Sequence, residues 1–193
     1  MCGAIDTILL TVQANPFAGA TKEIIVNPNP VCIGNDATHT FVLSNPASTA
    51  PTGYCASSPT STADEDIDSV SFGLISNGST CTSLTGTQGT ATGTASRYSD
   101  FTATSIPITD VTAGNTYPLS VRINQCGGGG GWTQTTVAYF DWNRDGDFDE
   151  ANEKYTVEEN VSGASTTIST TNITVPAGAS LGKTRMRISN RES

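Results

Sequence analysis

The residues best suited to chemistry lie in one short acidic segment. Between Asp141 and Glu153, six of thirteen side chains carry a carboxylate, and Arg144 is the one cation among them. Oxygen-bearing side chains at alternate positions, followed by Gly146, fit the calcium-loop pattern D-x-[DN]-x-[DN]-G. In that pattern the oxygens converge on one hard cation, and glycine permits the sharp turn around it. The segment therefore predicts a calcium-binding loop.

The predicted ligands supply only oxygen atoms, on a flexible loop, which favours Ca²⁺ over Mg²⁺. They are Asp141, Asn143, Asp145, Asp147, Asp149, Glu150 and Glu153. The glutamate that such loops carry at position 12 is Asn152 here, so the helix–loop–helix version of the site is not predicted. The closing ligand is expected from Asp149, Glu150 or Glu153.

The alternative interpretation is a solvated acidic turn without an ion. Two carboxylates about 6 Å apart repel by roughly 3 kcal/mol at an effective dielectric constant of about 20, and by under about 1 kcal/mol when fully solvated. Several such pairs would open the loop unless a divalent cation lay between them. Phe148 stands at position 8, where calcium loops anchor an apolar side chain.

The elements that must position this loop are predicted to be β-strands. The chain has 193 residues, of which 36% are hydrophobic and 14% charged, with 19 Gly and 9 Pro. This composition is too apolar for disorder and too rich in turn formers for a helical bundle. Strand-like runs occupy Ile5–Val12, Lys22–Val26, Thr38–Ser44, Ile67–Ile75, Thr135–Trp142, Ile168–Val175 and Lys183–Ser189.

Alternation of side chains is clearest in the C-terminal three quarters of the chain. Tyr117, Leu119, Val121 and Ile123 occupy every second position, which places them on one face of a half-buried strand. We expect an all-β fold, an antiparallel β-sandwich of jelly-roll or immunoglobulin-like type that carries the calcium loop. Residues 51–193 are predicted to form this domain, and residues 1–50 an N-terminal β-rich arm or the end of a preceding module.

Two segments of low complexity lie between the predicted strands. Thr82–Ser96 consists mostly of Thr, Gly, Ser and Ala, and Gly127–Gly131 is a run of five glycines. No Lys-Ser/Thr pair follows the glycines, so they do not form a phosphate loop. Both segments are predicted to be flexible surface loops.

The cysteines indicate disulfides rather than a metal site. They are widely spaced, none forms a CxxC pair, and the single histidine His39 cannot complete a Cys/His zinc site. At least two disulfides are expected, with one cysteine left over, and free buried thiols are the alternative. The sequence leaves the pairing open among Cys2, Cys32, Cys55, Cys81 and Cys126.

The charge and the apolar runs exclude two classes of partner. A net charge of −9 provides no basic surface for nucleic acid. The longest apolar run, Ile8–Leu10, is far shorter than the roughly 20 residues of a membrane-spanning helix. No secretion signal is visible after Met1. We expect neither nucleic-acid binding nor membrane insertion.

An enzyme is not predicted. His39 lies near no nucleophile motif, and the paired carboxylates occur only in the acidic segment, where metal binding accounts for them. No catalytic residue is assigned.

The order of several motifs resembles the GEVED domain family. They are Tyr54-Cys55, Ile67–Ile75, the RYSDFT segment from Arg97, the AGNTYPLSV segment from Ala113, Tyr139–Glu153, and the VPAGASLGKTRMR segment from Val175. The resemblance covers roughly Thr52 to Ser189. It implies a β-sandwich module of secreted and cell-surface proteins of Bacteroidetes, often exported by type IX secretion.

The resemblance also implies an absent strand. The Gly-Glu-Val-Glu-Asp motif of the family lies on a strand that follows the one at Lys183–Ser189, and the sequence reaches Ser193 before it. We expect the vacant edge to be filled by residues 1–50 of the same chain or of an adjacent subunit. In this context Asp6-Thr7-Ile8 and Asp68-Ser69-Val70 fit the bacterial O-glycosylation motif, which makes Thr7 and Ser69 candidate acceptors.

The favoured function is a non-enzymatic, extracellular structural or adhesive module, stabilised by calcium, that serves as a subunit of a surface fibre or matrix. Its partners would be other copies of itself or neighbouring modules of a larger surface protein. The alternative is a carbohydrate- or protein-binding accessory module of a secreted hydrolase. Its platform would be Trp132, Tyr139 or Trp142, although core packing explains each aromatic residue equally.

Overall fold

A computed structural model describes residues 21–27, 38–44, 51–57, 65–95, 97–102, 109–126, 133–162 and 168–192. Contacts divide the chain into two units. One comprises residues 1–49 with 181–183, and the other comprises residues 50–180 with 184–193.

All regular elements in the described ranges are strands, and every pairing between them is antiparallel. The strands are β1 Thr21–Asn27, β2 Thr38–Ser44, β3 Glu65–Phe72, β4 Ile75–Asn77, β5 Thr85–Gly86, β6 Gly89–Thr90, β7 Thr92–Thr94, β8 Tyr98–Asp100, β9 Thr116–Gln125, β10 Thr133–Phe140, β11 Lys154–Ser162, β12 Ser169–Thr174 and β13 Met186–Glu192. The prediction of an all-β antiparallel chain is confirmed. Across those ranges we find no helix long and apolar enough to cross a membrane.

In the first unit β1 pairs with β2 along its whole length, from Thr21 opposite Ser44 to Asn27 opposite Thr38. Both strands coincide with predicted ones. The predicted strand Ile5–Val12 lies outside the described residues.

The second unit contains two larger sheets. One has the strand order β12-β9-β3-β4, and the other has the order β11-β10-β13. The alternation predicted for β9 is confirmed, because Leu119, Val121 and Ile123 are buried while the residues between them are more exposed. Met186 and Ile188 of β13 likewise pack against the core.

Both sheets contribute to a single core. Phe72, Leu119 and Ile173 come from the four-stranded sheet, and Ala138 and Phe140 come from the three-stranded one. Burial of each large apolar side chain stabilises the fold by about 1.5–3 kcal/mol. This apolar core fixes the end of β10, from which the acidic segment departs.

The predicted strand Ile67–Ile75 is wrong in its last third, where the structure has a hairpin. A turn at Gly73 and Leu74 separates β3 from β4. Gly73 has φ +57°, a conformation that glycine adopts without strain. Leu74 at the tip is 65% exposed, so an apolar residue in this run marks the turn and not the core.

Thr82–Ser96 is not a loop without regular structure, as was predicted from its composition, because it holds β5, β6 and β7. The small residues allow close backbone packing: a Cβ at Gly86 would lie 2.0 Å from Asn77 Oδ1, and one at Gly93 would lie 2.1 Å from the Tyr98 carbonyl oxygen. Gly127–Gly131 lies outside the described residues.

The last strand stands at the edge of its sheet. β13 pairs with β10, from Gln134 opposite Glu192 to Phe140 opposite Met186. In the described part of the chain, no strand pairs with the other edge of β13. The identity of the segment expected to fill that edge stays a prediction.

Candidate metal centre in the acidic loop

The acidic loop, residues 141–153, connects β10 to β11. Its base is closed by backbone hydrogen bonds, since Phe140 N donates to Glu153 O at 2.9 Å and Glu153 N donates to Glu150 O at 3.0 Å. The loop is therefore carried by the β10–β11 end of the three-stranded sheet.

Alternate spacing of Asp and Asn folds the loop through consecutive side-chain turns. Asp145 N donates to Asn143 Oδ1 at 3.0 Å, Asp147 N to Asp145 Oδ1 at 3.2 Å, and Asp149 N to Asp147 Oδ1 at 3.0 Å. Each carboxylate or amide thereby accepts an N–H two residues later, which is the Asx-turn geometry. The glycine expected to permit the sharp turn does so, because Gly146 has φ +97°.

Asp141 is fully buried and ties the loop to the rest of its unit. Its oxygens accept hydrogen bonds from Arg144 N at 2.5 Å, from Gly146 N at 3.2 Å and from the Tyr54 hydroxyl. Burial and the Asp141 carboxylate both raise the pKa of Tyr54. The hydroxyl therefore stays protonated and remains a donor to Asp141.

Three carboxylates meet on the outer side of the loop. Asp145, Asp147 and Glu150 each place an oxygen within 4.8 Å of the other two. Oxygens at such separations can ligate one Ca²⁺, whose oxygen ligands lie about 2.3–2.6 Å from the ion.

Glu153 is a buried carboxylate next to this cluster. Its Oε1 accepts hydrogen bonds from Trp142 N at 2.6 Å and Asn143 N at 3.2 Å, while its buried Oε2 has no hydrogen-bond partner. Burial raises the pKa of Glu153 to about 7, the two N–H donors oppose the rise, and the neighbouring Glu150 carboxyl adds to it. Glu150 Oε2 is also buried and without a partner. Neither Oε2 accepts a hydrogen bond from an N–H or hydroxyl group of the protein, and a hydrogen bond between the two carboxyl groups favours the protonated form of Glu153.

The predicted ligands therefore separate into two groups. Asp145, Asp147 and Glu150 come together, with Glu153 beside Glu150. Asp141 and Asn143 receive backbone N–H groups of the loop, and Asn143 Nδ2 donates to Asp145 Oδ2 at 2.7 Å. Asp149 is exposed. Asp145, Asp147 and Glu150 form the candidate metal centre, and Glu153, next to Glu150, is a candidate fourth ligand.

Aromatic rings support the loop from below. Phe148 is half-buried, with its ring centroid 5.1 Å from that of Tyr54 and 5.7 Å from that of Tyr139. This contact holds position 8 of the loop against the sheet. The spacing of the acidic residues gave no indication of Tyr54, because it lies 87 residues before its partner Asp141.

Neither Trp142 nor Tyr139 provides the exposed aromatic surface that a carbohydrate- or protein-binding platform needs. Trp142 is buried in the core, where its ring stacks on Phe140 at 4.9 Å, and Tyr139 is half-buried against Phe148. Trp132 lies outside the described residues.

Cys81 and Cys126 form a disulfide, which is one of the two predicted. Cys55 is an exposed free thiol, in agreement with one cysteine being left over, and Cys2 and Cys32 lie outside the described residues. Of the glycosylation candidates, Ser69 is half-buried in β3 and Thr7 lies outside the described residues. Modification at either remains a prediction.

Comparison with known families gives one match. Residues 135–193 match the GEVED domain, a range that begins in β10 and includes the whole acidic loop and β13. No curated protein and no solved structure matches the chain significantly. For residues 52–134 the resemblance rests on the motifs alone. The family resemblance inferred from the sequence is confirmed over residues 135–193, because this segment, which contains the acidic loop, matches the GEVED domain.

Proposed function

We propose that this protein is a non-enzymatic, extracellular structural or adhesive module, whose acidic loop is closed by one Ca²⁺ ion. The observation that carries the proposal is the buried Glu153 carboxylate, which has an unpartnered oxygen beside the Asp145, Asp147 and Glu150 cluster. A buried oxygen without a donor costs about 1–3 kcal/mol, and more when it is charged. A bound cation would remove that cost.

Repulsion among the carboxylates of the cluster is a second argument for a bound cation. Two full charges 4.8 Å apart repel by roughly 3 kcal/mol at an effective dielectric constant of about 20, and by under about 1 kcal/mol in water. Asp145 and Asp147 are exposed, so their repulsion lies near the lower figure. The Glu150–Glu153 pair is more buried, and the neighbouring Glu150 contributes to raising the pKa of Glu153 to about 7, so a proton and a cation would compete for this pair near neutral pH.

Calcium suits these ligands better than other common metals. All four side chains offer carboxylate oxygens, and the described part of the loop contains neither His nor Cys. Hard oxygen ligands in a loop of irregular geometry favour Ca²⁺, whereas Mg²⁺ demands near-octahedral coordination and retains water.

We further propose that the two larger sheets form a β-sandwich. Its support is the shared core, to which β9 and β10 contribute Leu119, Ile123 and Phe140. Calcium at the β10–β11 connection would then fix one end of this sandwich.

The test is thermal unfolding with and without a chelator. At ten times a dissociation constant of about 10⁻⁴–10⁻³ M, calcium adds about 1.4 kcal/mol to the free energy of unfolding. For a domain of this size that raises the melting temperature by about 3–6 °C. EGTA should remove this increase in the wild type and have no effect on Asp145→Ala. An unchanged wild-type melting temperature in EGTA contradicts the proposal.

Assembly into a surface fibre or matrix is the larger role proposed for the module. The edge of β13 that pairs with no described strand can accept an extended segment through backbone hydrogen bonds, and donation from subunit to subunit in head-to-tail fashion builds a filament. Residues 1–50, of the same chain or of an adjacent subunit, are the proposed donor. Deletion of residues 1–30 should abolish assembly or cause aggregation. A truncated protein that is monomeric, soluble and equally stable would show that the segment is only a linker.

A further inference from the structure

A cleft in the second unit concentrates positive charge in an otherwise acidic protein. It has a volume of about 380 Å³, within the range of about 300–1,000 Å³ typical of small-molecule sites. Arg97, Arg185 and Arg187 line it, which is three of the nine Lys and Arg residues of a chain with net charge −9. Among the described residues that line the cleft, none is acidic.

Three segments far apart in the sequence build this arginine cleft. Residues 54–57 form one wall and the β7–β8 hairpin forms another. Arg185, immediately before β13, and Arg187, within it, form the third. Arg97 N donates to Thr94 O at 3.0 Å, which fixes Arg97 in the hairpin turn. The hairpin and β13 are sheet structure, and residues 54–57, which belong to no strand, are held by contacts of Tyr54 with Asp141 and of Cys55 with Arg187.

Two of the guanidinium groups lie over aromatic rings. Arg185 lies over the ring of Tyr54 with its Cζ 4.4 Å from the ring centroid, and Arg187 lies over Phe148 at 5.1 Å. Arg187 Nη2 also donates to Cys55 O at 2.9 Å. Arg187 Nη1 also contacts Cys55 Sγ at 3.5 Å. A guanidinium group carries five N–H donors in one plane, so the donors of Arg185 and Arg187 that protein atoms do not occupy can bind carboxylate oxygens.

The Nε of Arg185 is buried and has no hydrogen-bond partner, so it does not face the open cleft. A ligand in the cleft would contact Nη groups of the arginines instead, through charge-assisted hydrogen bonds that are about twice as strong as neutral ones.

The remaining lining residues favour a sugar over a peptide. Tyr98 exposes 39% of its surface, and Ser57 and Thr94 add hydroxyl groups. An exposed aromatic ring can pack on the apolar face of a sugar, while hydroxyl groups exchange hydrogen bonds with the sugar hydroxyls. The overall negative charge disfavours a long polyanion, because its distal charges would meet an acidic surface.

From this geometry we infer that the arginine cleft binds the carboxylate of a short acidic saccharide, such as a uronic-acid oligomer. This function goes beyond the structural role proposed above and does not require the calcium ion. The carboxylate lies among Arg97, Arg185 and Arg187, and the sugar ring packs on Tyr98.

The experiment is a titration of ¹⁵N-labelled protein, followed by NMR, with trigalacturonate, maltotriose and a triglutamate peptide. Each titration is run with calcium and with EGTA. We expect trigalacturonate to bind in both buffers and to shift amide signals of Tyr98 and Arg187, while maltotriose binds at least about tenfold more weakly. Because binding is expected in EGTA as well, its failure can be distinguished from failure of the calcium proposal.

Matched variants locate the binding. Arg97→Gln should weaken trigalacturonate binding at least about tenfold. Arg191→Gln removes an equal charge from an exposed position of β13 that does not line the cleft, and it should leave binding unchanged. Arg97→Lys keeps the positive charge and should bind trigalacturonate with intermediate affinity. It also serves as the test variant if Arg97→Gln does not fold.

Three outcomes overturn the inference. They are no binding of trigalacturonate in either buffer, equal weakening by Arg97→Gln and Arg191→Gln, and tighter binding of triglutamate than of trigalacturonate. The last outcome would identify an acidic protein segment as the ligand.

Discussion

The acidic loop and the arginine cleft carry opposite charge and meet at the same pair of aromatic rings. Tyr54 donates its hydroxyl to Asp141 of the loop and supports Arg185 with its ring. Phe148, a residue of the loop, stacks on Tyr54 and lies under Arg187. The two regions thus share a support but differ in how their charges are compensated.

The positive charge of the arginine cleft is compensated by neutral groups and by the Asp100 carboxylate, which interacts with the charge of Arg185. Aromatic faces and the Cys55 carbonyl oxygen contact Arg185 and Arg187, so these side chains are held without any ligand. The loop has backbone N–H groups for Asp141 and for one oxygen of Glu153, but not for the other oxygen of Glu153. We therefore expect ligand removal to destabilise the loop and to leave the cleft region intact.

The largest expected effect is that of Phe148→Ala, because it removes the support of both regions. A fully buried Phe→Ala change costs about 3–5 kcal/mol, and for this half-buried ring we expect a loss of about 2 kcal/mol in the free energy of unfolding. Calcium and trigalacturonate should both bind more weakly. Leu74→Ala, at an exposed hairpin tip, is the control and should change stability little. Equal effects of the two variants in urea unfolding would show that Phe148 supports neither region.

The effect of Asp147→Asn on the free energy of unfolding should have opposite signs in EGTA and in calcium. In EGTA it relieves repulsion from Asp145 and Glu150 and should raise the free energy of unfolding by up to about 1 kcal/mol. In calcium it removes a ligand and should lower that free energy by about 1 kcal/mol relative to the wild type. Asp110→Asn, an exposed carboxylate outside the loop, should behave alike in both buffers. A shift of the same sign in both buffers would count against an ion at Asp147.

The smallest effect concerns Asp66, a second buried carboxylate with an unpartnered oxygen. Burial raises the pKa of Asp66 and the nearby Asp68 carboxylate adds to this, while a hydrogen bond from Ser79 lowers it. A folded-state pKa above the unfolded value means that ionised Asp66 destabilises the fold at neutral pH, and that this cost disappears as the pH falls through the folded-state pKa.

Asp66→Asn should therefore raise the free energy of unfolding at pH 7 by less than about 1 kcal/mol, with a gain that shrinks towards pH 4 and is independent of calcium. Urea unfolding at both pH values measures it. Asp68→Asn is the matched control and should be mildly destabilising at pH 7, because Asp68 Oδ1 accepts a hydrogen bond from Arg122 at 2.8 Å. Destabilisation by Asp66→Asn at pH 7 would contradict the conclusion that ionised Asp66 destabilises the fold.

Sequence patterns predicted the strands whose residues alternate or are strongly β-prone. The alternation from Tyr117 to Ile123 identified β9, and the β-branched runs identified β1 and β2. The β3–β4 hairpin was missed because Gly73 and Leu74 interrupt an apolar run without an accompanying polar turn residue. The short hairpins in Thr82–Ser96 were missed because small residues signal flexibility by composition, although they also permit the close backbone contacts seen at Gly86.

The candidate metal centre was predictable as a loop but not in its detail. Alternate spacing and Gly146 identified the segment, since both act within a few residues. Whether Asp141 faces the proposed ion or the protein depends on Tyr54, which no local pattern connects to it. The arginine cleft was missed for the same reason, because Arg97 and Arg187 become neighbours only through sheet packing.

Direct binding of calcium tests the central claim, that an ion joins the carboxylates of Asp145, Asp147, Glu150 and Glu153. Equilibrium dialysis with ⁴⁵Ca²⁺ should find one ion bound per wild-type chain, with a dissociation constant of about 10⁻⁴–10⁻³ M. Glu153→Gln keeps an acceptor for the N–H groups of Trp142 and Asn143 but loses the charge, and it should bind at least about tenfold more weakly. Absence of binding by the wild type, or equal binding by Glu153→Gln, would contradict the account.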